Sequence, residues 1–140
     1  KPENILFDKK NNPKLADWGL VKVVLSLSDH SPGYTLSYAS PEQIDSDRFG
    51  ETDRRTDIYQ LGVVLYEMVT AHKPFKGKDQ DDVSKMITDG KVQNPSVLNP
   101  EVPAELDEII LKCLAKSKED RYEYTPIMLQ ALRNLSRSLK

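Results

Sequence analysis

Between residues 56 and 71 the chain reads TDIYQLGVVLYEMVTA. Its apolar side chains Ile58, Leu61, Val63, Val64, Leu65, Tyr66, Met68 and Val69 surround a helical axis instead of forming one stripe. A helix that is apolar all round is buried on all sides. That demand constrains the fold more than any other feature, because the other segments have to wrap this one. Thr56 offers an N-cap hydroxyl, and Asp57 in the first turn faces the positive end of the helix dipole. With 140 residues, 38% of them hydrophobic, the chain is long enough for one domain with a real core.

The covering elements are legible in the periodicity. A weaker helix is expected from Asp79 to Asp89, with Asp79, Asp81 and Asp82 in its first turn and Val83, Met86 and Ile87 on one face. Leu106, Ile109, Ile110, Cys113 and Leu114 give an i, i+3, i+4, i+7, i+8 stripe, with Glu105 and Asp107 early and Lys112 and Lys116 late, so this helix packs on one side only. Thr125 as cap and Pro126 in the first turn open a last helix whose Met128, Leu132, Leu135 and Leu139 share a face. Ile5-Leu6-Phe7 and Lys14-Leu15-Ala16 flank the turn formers Asp8, Asn11, Asn12 and Pro13, which reads as a β-hairpin. Residues 20 to 40 have no sustained period and are expected to form a long functional loop. The fold class is mainly α with a small β-hairpin.

Charge and composition exclude several partners. A net charge of -2 gives no global attraction to nucleic acid or an anionic membrane. No apolar run approaches the roughly 18 residues of a membrane span. No secretory signal is visible, and the one cysteine, Cys113, fits a reducing compartment, so a cytoplasmic location is expected. His30 and His72 lack metal-ligand spacing. The sequence opens on Lys1 instead of Met, and a piece of a longer chain is the expectation.

A hairpin brings the residue before its first strand and the residue after its second to the same end, so Asn4 and Asp17 can converge. An amide oxygen beside a carboxylate is a hard-oxygen site suited to Mg²⁺ (or Mn²⁺), which takes few protein ligands together with phosphate and water.

Order and spacing extend this reading. KPEN at 1–4, a hairpin, and ADWGL at 16–20 are followed by YTLSYASPEQ at 34–43, TDIYQLGVVLYEMVTAHKPF at 56–75 and ILKCLAKSKEDRY at 110–122. These blocks resemble, in the family's own order, the eukaryotic-type (Hanks-type) Ser/Thr protein kinases: the catalytic-loop end, the metal-binding D-F-G segment, the substrate-docking loop ending in A-P-E, the central helix and the late helix with its Arg. The resemblance covers essentially the whole chain and implies the larger, C-terminal lobe of a protein kinase. Residues 1–19 would be the catalytic-loop end, hairpin and DWG segment, residues 20–42 the activation and docking loop, and residues 43–140 the helical lobe, without the N-terminal lobe.

The resemblance implies roles position by position. Lys1 would be the catalytic-loop lysine that steadies the transferring γ-phosphoryl of ATP, and it favours Ser/Thr over Tyr specificity. Asn4 and Asp17 would hold Mg²⁺ on the phosphates. Gly19 would give the D-F-G segment its backbone freedom, with Trp18 in place of Phe as an apolar plug. Thr35 and Tyr38 match the loop that faces the protein substrate, although Tyr34 stands where a Gly is usual. Glu42 and Arg121 would form a buried ion pair. Asp57 would support the catalytic loop from below, Gly62 matches the central helix's glycine, and Lys118 replaces the usual Pro. Ser26, Ser28 and Ser31 are possible phosphosites.

The family places its general base two positions before Lys1, with the Gly-rich loop and the ATP-binding lysine further upstream. No catalytic base is present in this sequence, so these 140 residues alone are expected to be inactive. Two alternatives stand beside the kinase reading: a pseudokinase, and an interaction fragment that associates through an uncovered face of the central helix.

Overall fold

The computed structural model describes residues 1–16 and 36–139. Asp17, Trp18, Gly19, Thr35 and the loop serines 26, 28 and 31 lie outside the described residues. A single 3-10 turn, Pro2–Asn4, leads into strand β1 (Ile5–Phe7), which pairs antiparallel with β2 (Pro13–Leu15) in the register Ile5 to Leu15, Leu6 to Lys14 and Phe7 to Pro13. Asp8 makes the turn: its Oδ1 accepts the amides of Lys10 at 2.8 Å and Asn12 at 2.9 Å. Asn11 takes a positive φ of 60°, which Asn tolerates better than most residues. The second strand starts one residue earlier than the sequence implies, at Pro13. Proline can occupy a strand's first position because it needs no ladder donor there.

Helices α1 (Pro41–Ile44) and α2 (Ser46–Phe49) lead to α3 (Arg54–Thr70), then α4 (Gln80–Asp89), α5 (Pro95–Leu98), α6 (Ala104–Cys113) and α7 (Thr125–Ser138). Helix α3 is central. Ile58, Tyr59 and Val63 are wholly inaccessible, and they divide between two apolar clusters. Tyr59, Val63, Val64 and Tyr66 pack with Tyr38, Phe75, Ile87, Ile110 and Leu114. Ile58 packs instead with Ile109, Cys113, Tyr122, Met128 and Leu135. Burial is not all-round: Leu61, Leu65 and Val69 are only partly covered, and Met68 is 72% exposed.

Helix α3 begins three residues before the expected start, which takes Thr56 as its cap. Its N-cap is Asp53, whose side chain accepts from the Arg55 amide, and Thr56 sits at the third helical position, where its hydroxyl accepts from the Asp53 amide at 3.2 Å. A carboxylate is the stronger acceptor for orphan amides, and the Thr56 hydroxyl proton is left for another partner. Where α3 crosses α6, Gly62 permits the approach: a Cβ there would lie 2.6 Å from Cys113 Cβ.

Helix α4 starts one residue later than expected, with Asp79 as its cap instead of in its first turn, and buries Ile87 with Val83 and Met86 partly covered. Helix α6 buries Ile109, Ile110 and Cys113, and also Asp107. On α7, Met128 and Leu135 are buried, but Leu139 is 65% exposed because the helix ends at Ser138. Tyr124, not Thr125, occupies the cap position of α7. Among the described residues no helix is long and apolar enough to cross a membrane.

Candidate functional site

The ribbon's open end, opposite the Asp8 turn, is set by backbone bonds. The Ala16 amide donates to the Asn4 carbonyl at 2.8 Å, and the Asn4 amide donates to the Lys1 carbonyl at 2.9 Å. Asn4 is half-buried and Lys1 exposed. Asp17 follows Ala16 directly in sequence, outside the described residues. Among the described residues no group of three or more His, Cys, Asp and Glu side chains could hold a metal ion.

The second part of the site is the end of the loop that precedes α1. Residues Leu36–Tyr38 form a 3-10 turn, and buried Tyr38 donates its hydroxyl to Glu67 Oε2 at 2.6 Å while Lys73 Nζ lies 4.9 Å from its ring centroid. Next comes Ser40, wholly inaccessible, then Pro41 in the first turn of α1 and Glu42.

Glu42 and Arg121 meet with both side chains at 0% exposure. Arg121 Nη1 donates to Glu42 Oε1 and Nη2 to Oε2, each at 2.8 Å. The other Arg121 donors reach the carbonyls of Ala115, Arg55 and Lys116 at 2.8, 3.2 and 3.0 Å. Thr56 supplies a third bond to the carboxylate, its hydroxyl donating to Glu42 Oε1 at 2.8 Å. The Tyr59 ring lies under the guanidinium, 4.8 Å from centroid to carbon. Burial by itself would push the Glu42 carboxyl up, but the Arg121 hydrogen bonds and charge and the Thr56 hydroxyl hold it below its ordinary value. A buried pair of this kind tolerates burial only because every polar atom is matched.

Other expected residues stand as follows. Asp57 is exposed in the first turn of α3, with its carboxyl raised above the ordinary value by the displacement of water. Lys118, in place of a proline, is buried, and its ammonium donates to the Glu51 carbonyl beside Gly50. In the first turn of α3 the exposed Arg54 bonds to Glu123 and stacks on Tyr124, and Arg55 pairs with Asp53 and Glu119. Burial pushes the Cys113 thiol up to about 12, which makes it an inert part of the core.

Three contributors escape a reading by pattern. Thr56 looks like an ordinary cap, yet its hydroxyl serves Glu42. Asp107 looks like a dipole-favoured first-turn residue, yet it is buried and accepts the Ser96 amide at 2.9 Å and the Ser96 hydroxyl. Lys116 looks like a late-turn cation, yet its ammonium donates to the carbonyls of Met86 and Ile87 at the end of α4 and lies 4.0 Å over the Phe75 ring.

The family model described as protein kinase domain matches residues 1–132. The chain belongs to the protein kinase family. Similar proteins include the serine/threonine-protein kinase PknL of Mycobacterium tuberculosis, 39% identical over 125 residues, which are 87% of this chain and 31% of PknL. Another is the tyrosine-protein kinase MasK of Myxococcus xanthus, 34% identical over 134 residues, 94% of this chain and 20% of MasK. A third is the serine/threonine-protein kinase PrkC of Bacillus subtilis, 35% identical over 126 residues, 88% of this chain and 19% of PrkC. PknL and PrkC carry serine/threonine specificity in their names, and this chain's helices with a hairpin match the C-terminal lobe of the Hanks-type protein kinase family. The chain spans at most about a third of the length of these relatives.

Proposed function

We propose that this chain is the part of a serine/threonine protein kinase that grips the metal-bound phosphates of ATP and docks the protein substrate, and that the whole protein moves the γ-phosphate onto Ser or Thr hydroxyls. The observation that carries the reading is the Ala16-to-Asn4 bond at 2.8 Å: it closes the ribbon so that Asn4 stands beside the residue preceding Asp17. An amide oxygen and a carboxylate are the hard donors that Mg²⁺ takes, so this pair fits the ion chemically. When bound, Mg²⁺ would offset the charge developing on the phosphoryl oxygens. Asn4 and Asp17 would hold it, Lys1 would reach the transferring group, Thr35 would face the acceptor hydroxyl's segment, and Tyr38, buried and bonded to Glu67, would hold that loop in place.

The roles of Gly19, Glu42, Asp57, Gly62 and Arg121 in this reading are structural: they keep the docking loop and the catalytic loop in place on α3. The 140 residues alone would transfer no phosphate, since positioning of nucleotide and acceptor supplies nearly all catalysis of this reaction.

The test is Asp17→Ala in the protein as the cell makes it. Mg²⁺-dependent transfer of labelled phosphate from ATP to a protein should fall to background while the unfolding midpoint stays put. Phosphoamino-acid analysis of the wild-type product should return phosphoserine and phosphothreonine. Substantial transfer by the variant would show the metal site to be elsewhere, and phosphotyrosine as the main product would move the protein toward the specificity that MasK carries in its name.

A further inference from the structure

Gln43 and Gln60 make a polar link that none of the roles above uses. Gln43 Oε1 accepts from the Ser40 amide at 3.0 Å, from the Ser40 hydroxyl at 3.3 Å and from Gln60 Nε2 at 3.1 Å. The orientation of both amides follows from donor chemistry. A backbone amide only donates, so the atom facing Ser40 is the Gln43 oxygen, and the Gln60 atom facing that oxygen has to be its nitrogen. Ser40 itself is wholly inaccessible, and Gln43 and Gln60 are half-buried.

The spacing gives this link its meaning. Thr56 and Gln60 are four residues apart on α3, so they lie one above the other on the same face. Glu42 and Gln43 are consecutive on α1. Thr56 bonds Glu42 at 2.8 Å and Gln60 bonds Gln43 at 3.1 Å. Two adjacent residues of the short helix are thus matched to two stacked positions of the central one. One bond alone would leave α1 free to swivel about it; two fix its register. Tyr38, two residues before Ser40, is tied to Glu67, about two turns further along the same helix. The loop end is therefore pinned along α3 at residues 56, 60 and 67, and the middle pin is the amide pair.

We propose that Gln60, acting through Gln43 and Ser40, is a positioning residue that sets the register of the substrate-docking loop on the central helix, and so governs affinity for the protein acceptor and not for ATP. This rests on the kinase reading of the preceding subsection.

The experiment uses the protein as the cell makes it, with myelin basic protein as acceptor. Gln60→Met keeps the side-chain volume and leaves the Ser40–Gln43 bonds in place, removing the cross-helix bond alone. KM for the acceptor should rise about fivefold, the effect of one neutral hydrogen bond, with kcat and KM for ATP unchanged. Gln60→Glu should raise it further, because a carboxylate would face the Gln43 oxygen. Gln43→Glu should behave as wild type, since all three of its partners donate. An unchanged acceptor KM in Gln60→Met, or an equal loss in kcat and in KM for ATP, overturns the proposal.

A second readout does not depend on activity. Amide exchange at residues 36–44 should accelerate in Gln60→Met while that of α6 is unaltered, and identical exchange in the loop end would overturn the register claim directly. A wild-type protein that phosphorylates no acceptor would instead defeat the kinase reading, leaving the exchange measurement to judge the link.

Discussion

Arg121 places all five of its N–H donors on protein oxygens with its side chain at 0% exposure, whereas the ribbon that carries Asn4 exposes Leu6 at 55%, Phe7 at 66% and Leu15 at 53%. The base of the molecule is over-determined: Glu42 is fixed by Arg121 and Thr56 at once, and the ring of Tyr59 closes it from below. Among the described residues the ribbon is held by its ladder, by the Asp8 turn and by Ile5 against the core. The difference separates two kinds of residue. Changes at the base should be felt as stability, and changes on the ribbon as function.

The largest effect is expected from Arg121→Ala. It strands a carboxylate among apolar groups, and unfolding by urea should show a loss of about 3 to 5 kcal/mol. The double replacement Glu42→Gln with Arg121→Met should cost clearly less than the sum of its parts, because no unmatched charge remains. Since Glu42 is held below its ordinary value, its contribution is present above the unfolded carboxyl's 4.5 and fades as pH falls through the folded value. A double replacement that costs the full sum of its parts would dissolve the contrast between base and ribbon.

Next in size is a pH effect at Lys116. Burial pushes its ammonium from 10.5 down to about 8. Between those values the unfolded chain still holds the proton that the folded one has released, so folding stability should rise with pH through that window. Urea midpoints of wild type and Lys116→Met, compared at the two ends of the window, should converge or cross as the wild type gains. A wild type that gains nothing over the variant would mean that the end of α4 is solvated, unlike the rest of the base.

The smallest stability effect should come from Phe7→Ser on the ribbon. Despite the loss of an aromatic ring, the unfolding free energy should move by no more than about 0.5 kcal/mol, as at other exposed positions. A loss approaching that of Arg121→Ala would show that the ribbon is a packed part of the core.

How much of this was legible follows the same division. The all-round apolar character of residues 58–69 announces a central helix, and the structure buries Ile58, Val63, Val64 and Tyr66, covers Leu61, Leu65 and Val69 in part and leaves Met68 exposed. Glu42 and Arg121, 79 residues apart, have no periodic relation and were reached through the family's ordered blocks alone. Helices α1, α2 and α5 have four residues each, too short for any period to declare itself, so only four helices were expected. Cap chemistry was ambiguous where two acceptors stand close: Asp53 and Thr56 both qualify, and the carboxylate won. Asp107 is the first-turn acid that the sequence implies, but its partner, Ser96, sits on another element, where no local pattern reaches it. The convergence of Asn4 with Asp17 rests, among the described residues, on the backbone bond from Ala16.

A crystal structure of the protein as the cell makes it, grown with Mg²⁺ and a non-hydrolysable ATP analogue, tests the central claim most directly. The account predicts the Asn4 side-chain oxygen and an Asp17 carboxylate oxygen on metal ions at about 2.1 Å, with the nucleotide's phosphates bridging them. Nucleotide bound with Asn4 and Asp17 directed into separate regions, neither touching metal, would contradict it.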